Sequence, residues 1–409
     1  MVTKSEAVSK LKELSEIITK SREAYFNFNQ SVITDFEYDQ KISEFGEIIA
    51  KYPELEDEYK VLDQIGATPN SKFKKVKHLT PMYSLSNAFS NEDIYNFLKK
   101  IRSFLDLSES ENIDLVFEPK IDGLSLSLIY KNGTLFQALT RGDGQIGEDV
   151  TENARLIADV PLSIPVKIDT LEIRGEVYFP NSTFTALNEE LKIKGGKTFS
   201  NPRNAASGTL RQFKSNKNIN KNLCFFAYSV GSATYHLADS QAMLLKTFND
   251  LGFKTNNLSK VFSSVEKLLQ YYEEVFSIRP KLDYDIDGIV YKVNDFRLQE
   301  RLGFRSSSPR WAIAHKFPAE MSITVIEDIE IQIGRTGTLS PVAKLKPVNI
   351  GGVVVASATL HNKDFIKGID NKGNKIRGGA DIRKGDWVTV YRAGDVIPKI
   401  KDVDISKRK

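Results

Sequence analysis

Apolar residues recur at helical spacing near the start of the chain. The apolar positions of the first predicted helix are Val8, Leu11, Leu14, Ile17 and Ile18. Those of a second predicted helix, which Pro53 ends, are Tyr38, Ile42, Phe45 and Ile49. Residues three and four positions apart lie on one side of a helix, so the pattern predicts a helical domain over residues 1–72.

Between residues 73 and 317 the pattern changes to short runs of alternating apolar and polar residues. The stretch FEPKIDGLSLSLIY, residues 117–130, predicts a hairpin of two strands joined by a sharp turn that carries Lys120. Asn132 and Gly133 are typical of a two-residue hairpin turn. Helical stretches such as NSTFTALNEELKIKG and SQAMLLKTFNDLGF interrupt the strands without a regular strand–helix–strand rhythm. This mixture predicts an α+β domain and disfavours a Rossmann fold.

From Pro318 onward, glycine-rich turns separate short strands, and no helical pattern is present. This predicts a small closed barrel of the oligonucleotide-binding (OB) type. The segment 370–380 is interpreted as a flexible, basic loop. The predicted fold class is therefore α+β multidomain, with a helical domain (1–72), an α+β domain (73–317) and an OB-type β-barrel (318–409).

The composition of the 409 residues, 41% hydrophobic and 27% charged, is that of a globular protein. No run approaches the roughly eighteen apolar residues of a membrane span, and the N-terminus lacks the apolar core of a signal peptide. Cys224 is the one cysteine, which excludes an intrachain disulfide and a cysteine-based zinc cluster. These features predict a cytoplasmic protein that does not bind membranes.

Positive charge is concentrated at one end of the chain. From Pro318 onward there are 16 Lys and Arg against 11 Asp and Glu, whereas the preceding residues carry 41 against 42. A basic terminal domain on a neutral body indicates a polyanionic partner. A merely solvated basic surface gives the same count, so charge alone leaves both interpretations open.

Lys120 stands between Glu118 and Asp122, with apolar runs on both sides. A nucleophilic lysine must be partly neutral, and desolvation favours the neutral form. Flanking carboxylates favour the charged form, so they are better suited to hold a ligand or a metal. On these four residues alone, a turn lysine paired with Asp122 is the favoured interpretation, because such short motifs recur by chance.

Further motifs follow Lys120 in a fixed order. They are EPKIDG, TRGDG, EIRGEVYF, DIDGIVYK and WAIAHKFP. This order resembles the covalent nucleotidyltransferases, the superfamily of polynucleotide ligases and capping enzymes. Longer stretches, including TRGDGQIGEDVTENARLIADVP, FSNPRNAASGTLRQ and GRTGTLSPVAKLKPV, resemble the bacterial NAD-dependent DNA ligases more narrowly. The resemblance covers most of the chain, from about Tyr25 to Pro398.

The resemblance implies a reaction in three steps. Lys120 attacks the adenylyl phosphorus of NAD and releases nicotinamide mononucleotide (NMN). The AMP then passes to the 5′-phosphate of a nick in double-stranded DNA, and the 3′-hydroxyl displaces it. Lys316 is implied to offset phosphate charge. Asp122, Glu176 and Asp287 are implied to orient the site or a Mg²⁺ ion, without a choice of direct metal ligands.

The same resemblance implies which residues bind NAD. Those expected to hold the adenosine part are Ser84, Leu85, Glu118, Arg141, Glu176, Tyr228, Lys292 and Lys316. Those expected to bind the NMN part, in a segment that ATP-dependent ligases lack, are Tyr25, Asp35, Tyr38 and Asp39. Phe26 departs from the family, which commonly has His or Tyr there, so a polar contact is lost at this position. Each residue also has a structural interpretation, for example Tyr228 as core, Glu176 as a partner of Arg174, and the helical segment as a cap.

The arginines implied to contact DNA phosphates are Arg203, Arg211, Arg335 and Arg392. Family members continue beyond the barrel into zinc, helix-hairpin-helix and BRCT modules, whereas this sequence ends at DISKRK. The resemblance therefore predicts a monomeric DNA ligase core that uses NAD and Mg²⁺. Two alternatives are an RNA-end ligase or capping-type enzyme, and a non-catalytic nucleic-acid-binding relic of the fold.

Overall fold

The helical patterns at the start of the chain form two helices that share one core. In the computed structural model these are α1 (Lys4–Phe28) and α2 (Asp35–Lys51), followed by a 3₁₀ turn (Pro53–Leu55). Their buried apolar residues are Leu11, Leu14, Ile18, Phe45, Ile49 and Leu55. All of these except Leu55 of the 3₁₀ turn lie on the two predicted faces, because helical spacing brings them to the same side.

The structure describes residues 4–28, 33, 35–55, 59, 73–108, 111–196, 198–199, 201–212, 222–318, 320–333, 339–350, 353–370, 373–392 and 398–408. The chain forms two compact units, one of Met1–Ile33 with Glu37–Phe317, the other of Thr34–Phe36 with Pro318–Lys409. Both helices and strands are present, so the predicted α+β class is confirmed. The division of the first unit at residue 72 stays a prediction. None of the described helices combines the length and apolarity needed to cross a membrane.

The first unit contains two sheets whose strands pair mostly in antiparallel fashion. The five-stranded sheet has the order β2 (Ser86–Ala88), β11 (Ala312–Lys316), β10 (Ile286–Val293), β3 (Leu115–Ile121) and β9 (Lys260–Phe262). The four-stranded sheet has the order β5 (Thr134–Thr140), β4 (Leu124–Lys131), β7 (Leu171–Tyr178) and β8 (Cys224–Ala233). A small ladder pairs β1 (Lys75–Lys77) with β6 (Ile146–Glu148).

Helices cover these sheets. Those of the first unit that follow α2 are α3 (Asn91–Leu105), α4 (Thr151–Ala154), α5 (Asn181–Ile193), α6 (Pro202–Leu210), α7 (Gln241–Asp250), α8 (Val265–Ile278) and α9 (Phe296–Leu302). The apolar faces of α3 and α8 pack against Phe117 and Ile121 of β3 on one side of the five-stranded sheet. Side chains alternate along a strand, so Glu118 and Lys120 point to the opposite side.

The strand–turn–strand prediction for residues 117–130 is wrong in its pairing. The two strands form, but β3 pairs with β10 and β9, whereas β4 pairs with β5 and β7. Only Asp122 and Gly123 separate β3 from β4, so the chain passes here from one sheet to the other. A Cβ at Gly123 would stand 2.2 Å from the carbonyl oxygen of Val177, which shows that this glycine permits close approach of β7. The predicted hairpin at Asn132 and Gly133 joins β4 to β5, and both turn residues have positive φ.

The second unit is a closed barrel, as predicted. Its strands are β12 (Glu320–Ile333), β13 (Leu339–Ile350), β14 (Val353–Thr359), β15 (Trp387–Arg392) and β16 (Lys399–Asp404), with a short helix α10 (Lys363–Ile366). Apolar side chains such as Ile326, Ala343 and Val390 fill its interior. Residues 373–380 are described and lie against α10, where Arg377 donates to the carbonyl oxygen of Phe365. The expectation of a flexible, basic loop over residues 370–380 stays a prediction.

Candidate active site

Lys120 is the second-last residue of β3, and its backbone pairs with Gly288 of β10. Its ammonium nitrogen Nζ donates a hydrogen bond to Asp287 Oδ2 at 2.9 Å. Lys316, at the end of β11, donates to the same oxygen at 2.9 Å. A Cβ at Gly288 would stand 2.3 Å from the carbonyl oxygen of His315, so glycine lets β10 and β11 approach closely here. Three adjacent strands thus bring two ammonium groups to one carboxylate oxygen.

Asp287 is the carboxylate that both lysines contact. Burial would raise its pKa, but the ammonium groups of Lys120 and Lys316 hold the pKa of the carboxyl well below its usual range. A carboxylate with a lowered pKa is a weak proton acceptor. The arrangement therefore suits Asp287 to orient the two lysines rather than to remove a proton from Lys120.

The helical segment contributes Asp39 to the same group. Asp39 Oδ2 lies 3.3 Å from Lys316 Nζ, and its Oδ1 accepts a hydrogen bond from Asn87 Nδ2 at 2.8 Å. The neighbouring Tyr38 accepts a hydrogen bond from the guanidinium of the buried Arg22. Burial raises the pKa of Tyr38, and Arg22 opposes that shift. Tyr38 and Asp39, two of the four residues expected to bind NMN, therefore lie beside the group formed by Lys120, Lys316 and Asp287.

The structure gives less information on Tyr25 and Asp35, the other two residues expected to bind NMN. Tyr25 falls within α1, and Asp35 is the first residue of α2. Their side chains, and that of Phe26, lie outside the described part of the structure. Their expected roles stay predictions.

A second cluster surrounds Glu118, two residues before Lys120 on the same side of β3. Lys292 Nζ donates to Glu118 Oε2 at 2.9 Å and to the carbonyl oxygen of Tyr228 at 2.9 Å. Gln241 Nε2 donates to Glu118 Oε1 at 2.8 Å. The Lys292 ammonium also stands 5.3 Å from the centre of the Tyr228 ring, within cation–π range. Both Glu118 and Lys292 are buried, and each holds the other's charged group in place.

Three further residues expected at the nucleotide lie on connecting segments. Ser84 and Leu85 precede β2 and are half-buried, and the Ser84 amide donates to the carbonyl oxygen of Ser307 at 2.9 Å. Arg141 follows β5, and its carbonyl oxygen lies 3.1 Å from Nε2 of the buried His78. These contacts fix backbone positions, while the contacts to a nucleotide stay predictions.

Glu176 lies on β7, where Ser125 Oγ donates to its Oε2 at 2.9 Å. Burial raises its pKa to about 7, although Arg203 and Lys120 pull in the opposite direction. Arg174 pairs instead with the fully buried Glu172, at 2.8 Å. The alternative that Glu176 pairs with Arg174 is therefore wrong.

The buried Glu176 carboxyl predicts a pH-dependent stability. Its ordinary pKa is 4.5 and its folded value about 7, so the folded state holds a proton that the unfolded state has released. Stability is thus lost as pH rises from 4.5 to 7, by up to about 3 kcal/mol. We expect Glu176→Gln to raise the free energy of unfolding relative to the parent at pH 8 and to change it little at pH 5. Urea unfolding of both proteins checks this, with the exposed Glu190→Gln as control; an equal difference at both pH values contradicts it.

Two of the arginines expected to contact DNA are engaged by carboxylates. Arg203 Nη1 donates to the buried Asp122 at 2.5 Å. Arg211 makes two contacts of 2.7 Å to the buried Glu148. These carboxylates hold the two guanidinium groups in place, and they compete with any phosphate for the same N–H donors. Arg335 lies outside the described residues, and Arg392 ends β15 with its side chain outside them.

The sequence reasoning missed several residues of these clusters. Gln241, at the start of α7, and Asn87, on β2, hold Glu118 and Asp39, but single amides in the sequence carry no pattern that identifies them. Ser125 alternates with Leu124 and Leu126 in an apolar strand. A serine within this apolar strand could have indicated a hydrogen bond, because hydroxyl groups taken out of water normally have a hydrogen-bond partner.

The described carboxylates of this site do not converge on one point as the ligands of a protein-built metal centre would. Within the described residues no group of three or more His, Cys, Asp or Glu side chains is arranged to hold a metal ion. Asp122 and Asp287 are each bound by a cationic side chain, and burial favours protonation of Glu176. We therefore derive no step through Mg²⁺.

Two family models match the chain. Residues 70–320 match the NAD-dependent DNA ligase adenylation domain, and residues 323–409 match the NAD-dependent DNA ligase OB-fold domain. Together with the two sheets of the first unit and the closed barrel of the second, these matches give the class of the chain as an adenylation domain followed by an OB-fold domain. The chain belongs to the NAD-dependent DNA ligase family, which confirms the resemblance found in the sequence.

Its relatives are similar throughout the chain. The DNA ligase of Roseobacter denitrificans is 50% identical over 407 residues, which are 100% of this chain and 58% of that protein. The DNA ligase of Bartonella tribocorum is 50% identical over 408 residues, 100% of this chain and 57% of that protein. Among solved structures, the bacteriophage T7 ATP-dependent DNA ligase with ATP has 14% identity and a TM-score of 0.31, covering 80% of this chain and 98% of that one. The chain spans a little over half the length of the curated relatives it matches.

Proposed function

We propose that this chain is the catalytic core of an NAD-dependent DNA ligase acting on nicked double-stranded DNA. It forms a lysyl-AMP at Lys120 from NAD, releases NMN, transfers AMP to the 5′-phosphate of the nick, and joins that phosphate to the 3′-hydroxyl. The observation that carries the proposal is the convergence of Lys120 and Lys316 on Asp287, with Asp39 beside Lys316. We further infer that it works as a monomer in the cytoplasm.

In the first step Lys120 releases its ammonium proton to water, the lone pair of Nζ forms the P–N bond as the P–O bond to NMN breaks, and a second Nζ proton then leaves to water. The released NMN phosphate takes the bonding electrons. Asp287 aligns Nζ, and Lys316 offsets negative charge on the phosphoryl oxygens, where phosphoryl transfer gains most of its rate. Lys316 contacts two carboxylates, Asp39 and Asp287, so an incoming phosphate competes with them for its ammonium group.

The Glu118 cluster supports the assignment of an adenosine pocket. Tyr228 offers a ring for stacking, and Glu118 is held at one wall by Lys292 and Gln241. A cleft with an aromatic face and a few fixed polar groups is the usual form of a nucleotide site. Arg141 and Glu176 are proposed to hold the ribose, and Ser84 with Leu85 to border the adenine.

Mass spectrometry after incubation with NAD or with ATP tests the proposal. We expect a gain of one AMP with NAD and none with ATP, followed by loss of that mass when nicked DNA is added. A gain with ATP alone would favour the RNA-end ligase or capping-type enzyme. No gain with either nucleotide would favour a non-catalytic relic of the fold.

A further inference from the structure

A cleft between α3 and α9 has no part in the proposed reaction. Its volume is about 520 Å³, and its floor is formed by Phe97, Ile101 and Leu302. Because α3 packs on the side of the five-stranded sheet opposite Lys120, this cleft opens away from the active site. A duplex bound at Lys120 is therefore separated from it by the sheet and its helices.

The walls of the cleft are held in place by hydrogen bonds. Arg301 Nη2 donates to the carbonyl oxygen of Leu105 at 3.1 Å, which joins α9 to the end of α3. Arg310 Nη1 donates to the carbonyl oxygen of Leu302 at 3.2 Å and also to that of Phe304. The Arg310 guanidinium lies 5.2 Å from the centre of the Phe104 ring. A partner would thus meet a preformed cleft, which lowers the entropic cost of binding.

The rim of the cleft is basic. Lys99 and Lys100 line one wall, and Arg305 and Arg310 line the other. Lys99, Lys100 and Arg305 are exposed, and none of them forms an ion pair with a carboxylate in the described part of the chain. Phe104 adds an exposed ring, with 55% of its surface accessible. An apolar floor inside a cationic rim is complementary to an apolar side chain flanked by acidic groups.

We infer that this cleft binds an acidic peptide segment of a partner protein. A Leu, Ile, Phe, Met or Trp side chain of that segment occupies the floor, and its Asp or Glu neighbours meet the lysines and arginines of the rim. A concave floor accepts side chains, whereas a single nucleic-acid strand needs a row of flat, exposed rings. The inference concerns the surface opposite Lys120 and does not depend on the proposed function.

The test is selection from a random dodecapeptide library displayed on phage, with the purified chain as bait. We expect enrichment of peptides that combine at least one large apolar residue with two or more acidic residues. A fluorescein-labelled peptide from this pool should bind Lys99→Glu/Lys100→Glu roughly tenfold more weakly, because two rim charges are reversed. Arg305→Glu, on the opposite wall, should weaken it in the same direction.

The matched control is Lys74→Glu/Lys75→Glu, which reverses another adjacent pair of exposed lysines and should bind the peptide as the parent does. Thermal unfolding shows whether each variant remains folded. The inference is overturned if no acidic, apolar pattern is enriched, or if the selected peptides bind all variants equally. It is also overturned if labelled oligo(dT)12 binds more tightly than any selected peptide and loses that binding in Lys99→Glu/Lys100→Glu.

Discussion

Lys120→Ala is expected to gain no AMP when it is incubated with NAD, whereas the parent protein is expected to become adenylated. The variant lacks the nitrogen that forms the P–N bond, and no other lysine occupies its place on β3. Lys316 is close, since both ammonium groups contact Asp287 Oδ2, but it lies on a different strand and is also held by Asp39. We expect loss of adenylation below detection by intact-protein mass spectrometry.

The matched control is Lys131→Ala, an exposed lysine at the end of β4, which should adenylate at the parent rate. Sealing of a nick that already carries 5′-AMP should persist in part in Lys120→Ala, because that step needs no lysyl carrier. Lysyl-AMP detected on the Lys120→Ala protein contradicts the assignment of the nucleophile.

Asp39→Ala is expected to slow adenylation by NAD by roughly ten- to a hundredfold, the effect of losing a charged contact of about 1.5–3 kcal/mol. The structural reason is that Asp39 links the helical segment to Lys316 and to Asn87. The initial rate of AMP incorporation at several NAD concentrations measures the effect. Sealing of a pre-adenylated nick should change little, because NMN has already left.

Glu44→Gln provides the control for this second prediction. Glu44 also lies on α2, and its contacts to Lys10 and Lys41 are partly exposed surface pairs. Its loss should leave adenylation unchanged. If Asp39→Ala and Glu44→Gln both adenylate from NAD as the parent does, the helical segment is only a structural cap.

The sequence predicted where helices and strands lie better than it predicted which strands pair. Periodicity located α1, α2 and the barrel because each has a regular apolar spacing that any fold must bury. It could not show that β3 and β4 belong to different sheets, because the short gap at Asp122 and Gly123 is also typical of a hairpin. Strand pairing depends on contacts between residues far apart in the chain, such as Lys120 with Gly288.

The candidate site shows the same limit. Ordered motifs identified Lys120, Glu118, Lys292 and Lys316, and the structure brings these residues onto neighbouring strands. The motifs could not show that Gln241 completes the Glu118 cluster, since one amide at a helix start has no distinctive spacing. Nor could they show that Arg211 is bound to Glu148, because pairing depends on the folded positions of both.

The two-residue passage from β3 to β4 has a consequence for inactivation by heat. Lys120 depends on Asp287 from the five-stranded sheet, while Glu176 and Ser125, close behind it, belong to the four-stranded sheet. Melting of either sheet removes some of the residues around Lys120 and disturbs the two-residue segment, Asp122 and Gly123, that joins the sheets. A partly unfolded molecule that keeps one sheet is therefore inactive, and the temperature at which adenylation fails is set by whichever sheet is less stable.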